Sequence, residues 1–300
     1  SASLQSRAAT YVAPAALVSG LKRAMEAMAE VDAVGRGGVA AAIEIVGMVG
    51  GQEMRIPGRK GWEDAFFVRA FDVDHAGHPA LGYVVVRRIR GRGLRKEYFG
   101  MERKRLKELK SSGVRISPDD EEVFELGYTG DTSSAGLMHD PASRVIDDHV
   151  AVDSRRSSVY RHQAFRARLL LCELTFIDDD FQAKRDTRDL ARERGHVHIL
   201  DLAAVFGSHG WNAAAAKGGS GGVWDGMQSV IFYHVSMRYH PVDFMLKTIA
   251  RLLPPWLLSK AQVAVSAFLS REDEKTQLVK NICQKNGCVN LVDYMAQTKN

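Results

Sequence analysis

The sequence predicts an α/β protein with αββα layering, two packed sheets with helices on their outer faces, and three observations lead there. Strand-like and helix-periodic runs are mixed along the chain, neither strictly alternating nor segregated into halves, as in layered α/β folds. A length of 300 residues holds one large domain or two small ones, with enough chain to bury a core. Apolar residues make up 45% and charged residues 26%, a globular mixture that excludes a disordered or fibrous protein.

Tyr11 and Val12 lead into Pro14 as a short strand. Leu17, Val18, Leu21, Met25, Met28 and Val31 then recur every three or four residues, the spacing of one helix face. Strands follow at Val39–Val49, Ala65–Val73 and Leu81–Ile89, punctuated by glycine and proline. Met101–Leu109 reads as a basic helix, and Val123–Tyr128 and Leu169–Ile177 as buried strands. Phe181–Arg194 and His198–Phe206 read as helices, Val230–Tyr233 as a strand and Val242–Leu253 as another helix. Two stretches read as inserted surface loops: 138–166, rich in Asp, Ser, Arg and His, and 207–226, where an alanine run meets Gly-Gly-Ser-Gly-Gly. The expected domain runs over 1–255, and after Pro254-Pro255 a helical extension with its own amphipathic pattern takes 256–300. There is no internal repeat.

The longest apolar stretches, such as Val39–Val49, are interrupted by Glu44 and glycines and fall short of the roughly 20 residues a bilayer span needs. No basic-then-apolar leader opens the chain, so no secretory signal is expected. Three cysteines do not make a disulfide framework and fit a reducing compartment. Cys283 and Cys288 lack a nearby histidine pair, so a zinc knuckle is not expected. The net charge of +5 suits a polyanionic partner without requiring one.

Four segments carry the chemistry. The first is Phe71-Asp-Val-Asp-His75-Ala-Gly-His78-Pro-Ala-Leu-Gly-Tyr83, and the second Gly127-Tyr-Thr-Gly-Asp131-Thr132. The third is Leu169-Leu-Leu-Cys172-Glu173-Leu-Thr-Phe176, followed by Gly195-His196-Val-His198; the fourth is Phe232-Tyr-His234-Val-Ser236-Met-Arg238-Tyr239. Each puts a histidine or carboxylate where an apolar strand gives way to a loop, the usual place for a site on a rigid scaffold. Taken singly, Asp131 could cap a turn, and His78 and His198 read as hydrogen-bonded structural residues. Glu173, inside an apolar run, must find a partner if buried.

In this order the segments resemble the later motifs of ribonuclease Z, the tRNA 3′-processing branch of the metallo-β-lactamase superfamily. His75 matches the His before that family's Ser/Ala-Leu-Gly-Tyr strand, and Thr129–Thr132 matches Ser/Thr-Gly-Asp-Thr. Glu173–Phe176 matches Glu-Ala/Cys-Thr-Phe, Gly195-His196 matches Gly-His-Ser/Thr, and His234–Tyr239 matches His-Phe-Ser-x-Arg-Tyr. Tyr11–Pro14 and Val46–Glu53 resemble connecting segments of short-form members, and the likeness runs over about 8–255. The resemblance implies an αββα metallo-β-lactamase-like fold and two zinc ions that share Asp131, with His75 on one and His234 on the other. It makes His196, oriented by Glu173, the acid for the leaving 3′ oxygen, and precursor tRNA the substrate.

Cys172 and Val197 depart from the family pattern, and the family's His-x-His-x-Asp-His motif, which lies upstream of Tyr-Val-x-Pro, occurs nowhere in the chain. Its nearest imitation, Asp147-Asp-His149, falls in the first insert. The resemblance therefore implies a sandwich incomplete at its N-terminal side, completed by upstream sequence or by another chain in a homo-oligomer or mixed assembly. From Arg87 to Lys110 there are eleven Lys or Arg against three Glu. That stripe, with Arg87, Arg88, Arg90, Arg92, Arg95 and Lys96 at its head, reads equally as an RNA-binding track and as a solvated face. Leu94–Tyr98 is similar to the family's Lys-x-Glu-Tyr loop. Two functions stand side by side: a tRNA 3′-end endonuclease once the missing motif is supplied, or an inactive subunit that binds RNA or protein as a scaffold. Either is expected inside the cell, in the cytoplasm or an organelle such as the mitochondrion.

Overall fold

The computed structural model describes residues 9–36, 43–57, 65–138, 151–178, 187–207, 226–239, 241–269, 274–283 and 287–298. Strand β1 (Ala9–Pro14) and strand β2 (Ile43–Met48) pair in parallel, from Ala9 opposite Ile43 to Pro14 opposite Met48. Helix α1 (Val18–Arg36) lies between them in sequence, as a parallel pair requires a crossover. A second sheet holds eight strands: β3 (Glu53–Arg55), β4 (Ala65–Asp72), β5 (Leu81–Ile89), β6 (Glu121–Tyr128), β7 (Leu169–Glu173), β8 (Ser229–Tyr233), β9 (Ala261–Ala264) and β10 (Cys288–Asn290). Their order is β10-β9-β8-β7-β6-β5-β4-β3, parallel from β6 to β9 and antiparallel towards both edges.

The sequence accounts for this arrangement. Between β4 and β5 the chain turns through Ala76 and Gly77, both in the left-handed region. The parallel steps need longer crossovers, and helices supply them. Helices α3 (Ser134–Met138) and α4 (Ala151–Phe165) lie between β6 and β7. Helices α5 (Thr187–Glu193) and α6 (Ile199–Gly207) lie between β7 and β8, and α7 (Val242–Leu252) and α8 (Pro255–Leu258) between β8 and β9. The basic helix α2 (Arg103–Ser111) lies between β5 and β6, and no helix among the described residues is long and apolar enough to cross a membrane.

Alternation on β2 sets the layers. A Cβ on Gly47 would meet Val18 and Ala15 at the start of α1, whereas the next side chain, Met48, is buried with Ala70 of β4 and Leu81 of β5. Phe71, next to Ala70, points the other way, into a cluster with Val84, Val86 and Ala164 of α4. The order is helix, two-stranded sheet, eight-stranded sheet, helices: the expected αββα layering. The main core lies beyond the large sheet, where Leu170, Cys172, Val230, Phe232 and Val263 pack against Leu202, Phe206, Met245, Leu246 and Ile249. Of the periodic residues, Leu17 just before α1 and Leu21, Met28 and Val31 on it are exposed.

Three sequence expectations need correction. The 138–166 stretch is not all surface loop, because 151–165 forms α4, which packs on β4, β5 and β6. Its buried face carries Ser157 and Arg161, which no apolar periodicity reveals. Both bond the backbone at the end of β4: Asp72 N donates to Ser157 Oγ at 2.8 Å, and Arg161 donates to Asp72 O at 2.8 Å. The part beyond Pro255 is not purely helical, since β9 and β10 extend the large sheet. Helix α9 (Glu274–Ile282) and helix α10 (Leu291–Gln297) flank β10, and Leu291 and Tyr294 are buried in the same core as α7. Residues 261–264 and 288–290 are strands because of what they pair with, being too short to show a period of their own. Finally, β3 has no counterpart in the expected elements. Residues 139–150, with Asp147 and His149, and residues 181–186 and 208–225 of the expected helix and second insert lie outside the described residues.

Candidate active site

The three parallel strands at the middle of the sheet end together. Thr129–Asp131 follows β6, Glu173 is the last residue of β7, and His234 follows β8. Ligands of open α/β sheets gather outside such carboxyl ends. Two loops close on this point, the β4–β5 turn with His75 and the link between α5 and α6 with His196. A hydrogen bond ties them: His75 Nδ1 lies 2.9 Å from the Gly195 carbonyl. Gly195 has φ +71°, and a Cβ there would sit 2.5 Å from the His75 carbonyl carbon, so glycine is required. The Asp74 loop is fastened to the Asp131 loop as well, with Ser133 Oγ donating to Asp74 Oδ2 at 2.7 Å.

Glu173 is the hub and is fully buried. Its Oε1 lies 2.7 Å from His196 Nδ1 and accepts from Thr175 Oγ1 at 2.6 Å, and its Oε2 accepts from Thr132 N at 2.5 Å. Burial pushes this carboxyl up, yet the bonds from His196, His234, Thr175 and the Thr132 amide outweigh it and hold the group below the usual carboxylate range. It is a buried anion. His234 Nδ1 lies 3.6 Å from Glu173 Oε1 and 3.9 Å from Asp131 Oδ1. The Glu173 carboxylate raises the His234 pKa against burial, with Asp131 adding to the effect. His234 also takes a left-handed backbone, φ +66°, that non-glycine residues rarely adopt and that collects at functional sites.

The imidazoles form a chain, with ring centroids 5.1 Å apart for His75–His196 and 5.2 Å for His196–His234. All five residues singled out in the sequence, His75, Asp131, Glu173, His196 and His234, are thus brought into one cluster. Within it the donor atoms of Glu173, His196 and His234 lie within 4.8 Å of one another. Imidazole nitrogens and a carboxylate are a donor set that suits zinc. His75 sits on the His196 side of that trio and Asp131 on the His234 side. The His78 ring lies tilted at 50° to that of His75 with centroids 5.7 Å apart, and His198 is buried within 3.1 Å of Thr187 Oγ1. The resemblance singled out no role for Thr175, although its motif contains it; the signal was a hydroxyl two residues after a carboxylate that needed a partner.

The basic stripe is partly committed to internal pairs. Arg87 is bound to Glu125 at 2.6 Å, Arg88 to Glu122 at 2.8 Å and Arg95 to Asp119 at 2.6 Å. Arg90 and Lys96 make no ion pair among the described residues, and Arg103, Lys104, Lys107 and Lys110 of α2 are exposed.

Fold and cluster define a metallo-β-lactamase-like α/β protein with a histidine–carboxylate centre at the ends of its parallel strands. No family model matches the chain. It is 29% identical over 173 residues to tRNase Z TRZ2, chloroplastic, of Arabidopsis thaliana, covering 58% of this chain and 36% of that protein. It is 33% identical over 135 residues to tRNase Z TRZ1 of the same plant, covering 45% of this chain and 38% of that protein. The chain thus spans little more than a third of the length of these curated relatives. Over these stretches the chain is similar to two proteins that are both named tRNase Z.

Proposed function

We propose that this chain is part of a ribonuclease Z-type zinc phosphodiesterase that cuts the 3′ extension from precursor tRNA. The observation that carries the reading is the buried Glu173 anion 2.7 Å from His196, beside His234 and Asp131, in a homologue of proteins named tRNase Z. Zinc, when bound, supplies Lewis acidity at the phosphate and a nucleophile at neutral pH. His75, Asp131 and His234 are the residues of this chain that would hold it. Because a catalytic zinc usually takes three protein ligands, the reading assigns the remaining ligands to a preceding segment or to a second chain, either another copy or a partner.

The protein's own groups then act in sequence. Glu173 fixes the His196 ring by its Nδ1–H, which leaves Nε2 to pass a proton to the departing 3′ oxygen. Thr132 N and Thr175 keep the carboxylate from turning away. The loop from Arg87 to Lys96 and the outer face of α2 track the RNA backbone, with Arg90 and Lys96 contributing charge alongside Arg92 and the internally paired Arg87, Arg88 and Arg95. This reading places the protein inside the cell, in the cytoplasm or an organelle.

The test is zinc content by elemental analysis together with cleavage of a 3′-extended precursor tRNA, on natively purified protein whose chains are identified by intact mass. Zinc with cleavage supports the reading; neither would overturn it in favour of an inactive scaffold. Replacing Arg90 and Lys96 by glutamine should weaken RNA binding and reduce the slope of log affinity against log salt by roughly 1 to 2. An unchanged slope makes the stripe a solvated face only.

A further inference from the structure

We propose that Thr175 is a positioning residue that fixes the tautomer of His234, so that Nε2 is the nitrogen offered to the metal. The metal part rests on the function proposed above; the tautomer part stands on geometry alone.

The Thr175 hydroxyl is shared between two side chains. It donates to Glu173 Oε1 at 2.6 Å and lies 2.9 Å from His234 Nδ1. A hydroxyl has one proton, and Glu173 Oε1, which also faces His196 Nδ1, is the acceptor in its bond to Thr175. The proton therefore goes to Glu173, and the oxygen turns a lone pair to His234, whose Nδ1 must be the donor. Nε2 of a neutral His234 is then left with its lone pair free. The same logic holds for its neighbours: His196 Nδ1 meets the Glu173 carboxylate and His75 Nδ1 meets a carbonyl, and both acceptors require Nδ1–H. In all three rings an acceptor keeps the proton on Nδ1, which leaves Nε2 of His196 able to carry a second proton and Nε2 of neutral His234 open, and outer partners of this kind orient metal-binding histidines.

The backbone holds Thr175 at this post independently of its hydroxyl. Leu174 N donates to Tyr233 O at 2.9 Å and Ser236 N donates to Thr175 O at 3.1 Å, so the strand end is clasped on both sides of His234. Removing the hydroxyl leaves that clasp intact. What is lost is the 2.9 Å bond to Thr175 that opposes rotation of a ring carried on a left-handed backbone.

The experiment compares Thr175→Val, which keeps the shape, and Thr175→Ser, which keeps the hydroxyl, in the full protein. The tautomer of His234 is read by nitrogen NMR of the metal-free protein, with the signal assigned by loss in His234→Gln. Zinc affinity is read by competition with a chromophoric chelator. The expected result is Nδ1–H at His234 in the parent protein and in Thr175→Ser, and a mixture or Nε2–H in Thr175→Val. Zinc affinity should fall about 10- to 100-fold in Thr175→Val and return to within a few-fold in Thr175→Ser. Nε2–H at His234 in the parent, or Nδ1–H and full zinc affinity kept in Thr175→Val, overturns the assignment. A parent protein that takes up no zinc removes the metal role and with it the function proposed above, while the tautomer still decides whether Thr175 governs His234.

Discussion

His196→Ala should slow cleavage of 3′-extended precursor tRNA by about a thousandfold, the middle of the range a positioned general acid contributes. His196 approaches the buried Glu173 carboxylate more closely than His234 does, at 2.7 Å against 3.6 Å. Glu173→Gln keeps the volume but removes the charge that fixes the ring, and should lower the rate by about a hundredfold. Two further measurements separate a proton donor from a metal ligand. If His196 is the acid, zinc content is unchanged in His196→Ala, and a substrate whose bridging 3′ oxygen is replaced by sulfur restores most of the rate, because a thiolate leaves without a proton. If zinc is lost with the rate and the sulfur substrate is no better, His196 belongs to the metal set with Glu173 and His234, and the acid assignment falls. Unchanged cleavage in His196→Ala would remove the residue from the mechanism altogether.

Gly127→Ala should be severely damaging for a single-methyl change outside the cluster, with a loss of about 3 kcal/mol read as a lower urea midpoint. A Cβ at Gly127 would lie 2.2 Å from the Ala164 carbonyl oxygen and 2.8 Å from its carbon, both backbone atoms that cannot swing aside. To relieve the overlap α4 must rise from β6. That movement loosens Ala164 from Phe71, Val84 and Val86 and strains the bonds of Ser157 and Arg161 to Asp72. Gly20→Ala is the control. Nothing lies within 4 Å of a Cβ there, and alanine in a helix should be neutral or stabilising by up to about 1 kcal/mol. Equal midpoints for the two variants would mean that α4 does not sit on β6 as described.

Strands β4 to β8 were legible because each is an apolar run bounded by turn residues. Helix α4 was not, because Ser157 and Arg161, which serve the end of β4, interrupt the buried face that Ala164 and Phe165 continue, and no apolar stripe marks it. The two strands after Pro255 were hidden for a different reason: four residues and three residues have no periodicity, and only a neighbour already in the sheet makes them strands. For the site, the order of the motifs was enough to single out His75, Asp131, Glu173, His196 and His234. The bonds that orient them were not legible, since Thr175 and the Gly195 carbonyl act through distances that only the folded chain sets. Charge was the least legible. Arg88 looked like part of an RNA track, but cross-strand register places it opposite Glu122.

The two faces of the large sheet are unequally buried. On β7 and β8, Leu170, Cys172, Val230 and Phe232 are fully enclosed, whereas Leu169, Leu171, Ile231 and Tyr233 on the alternate face are only half enclosed. The chain should therefore accumulate neutral changes in a two-residue rhythm: positions 170, 172, 230 and 232 will resist even small hydrophobic swaps, while 169, 171 and 231 drift more freely. Where a half-enclosed position proves as intolerant as its enclosed neighbours, the pattern of drift marks a surface that another polypeptide keeps under selection.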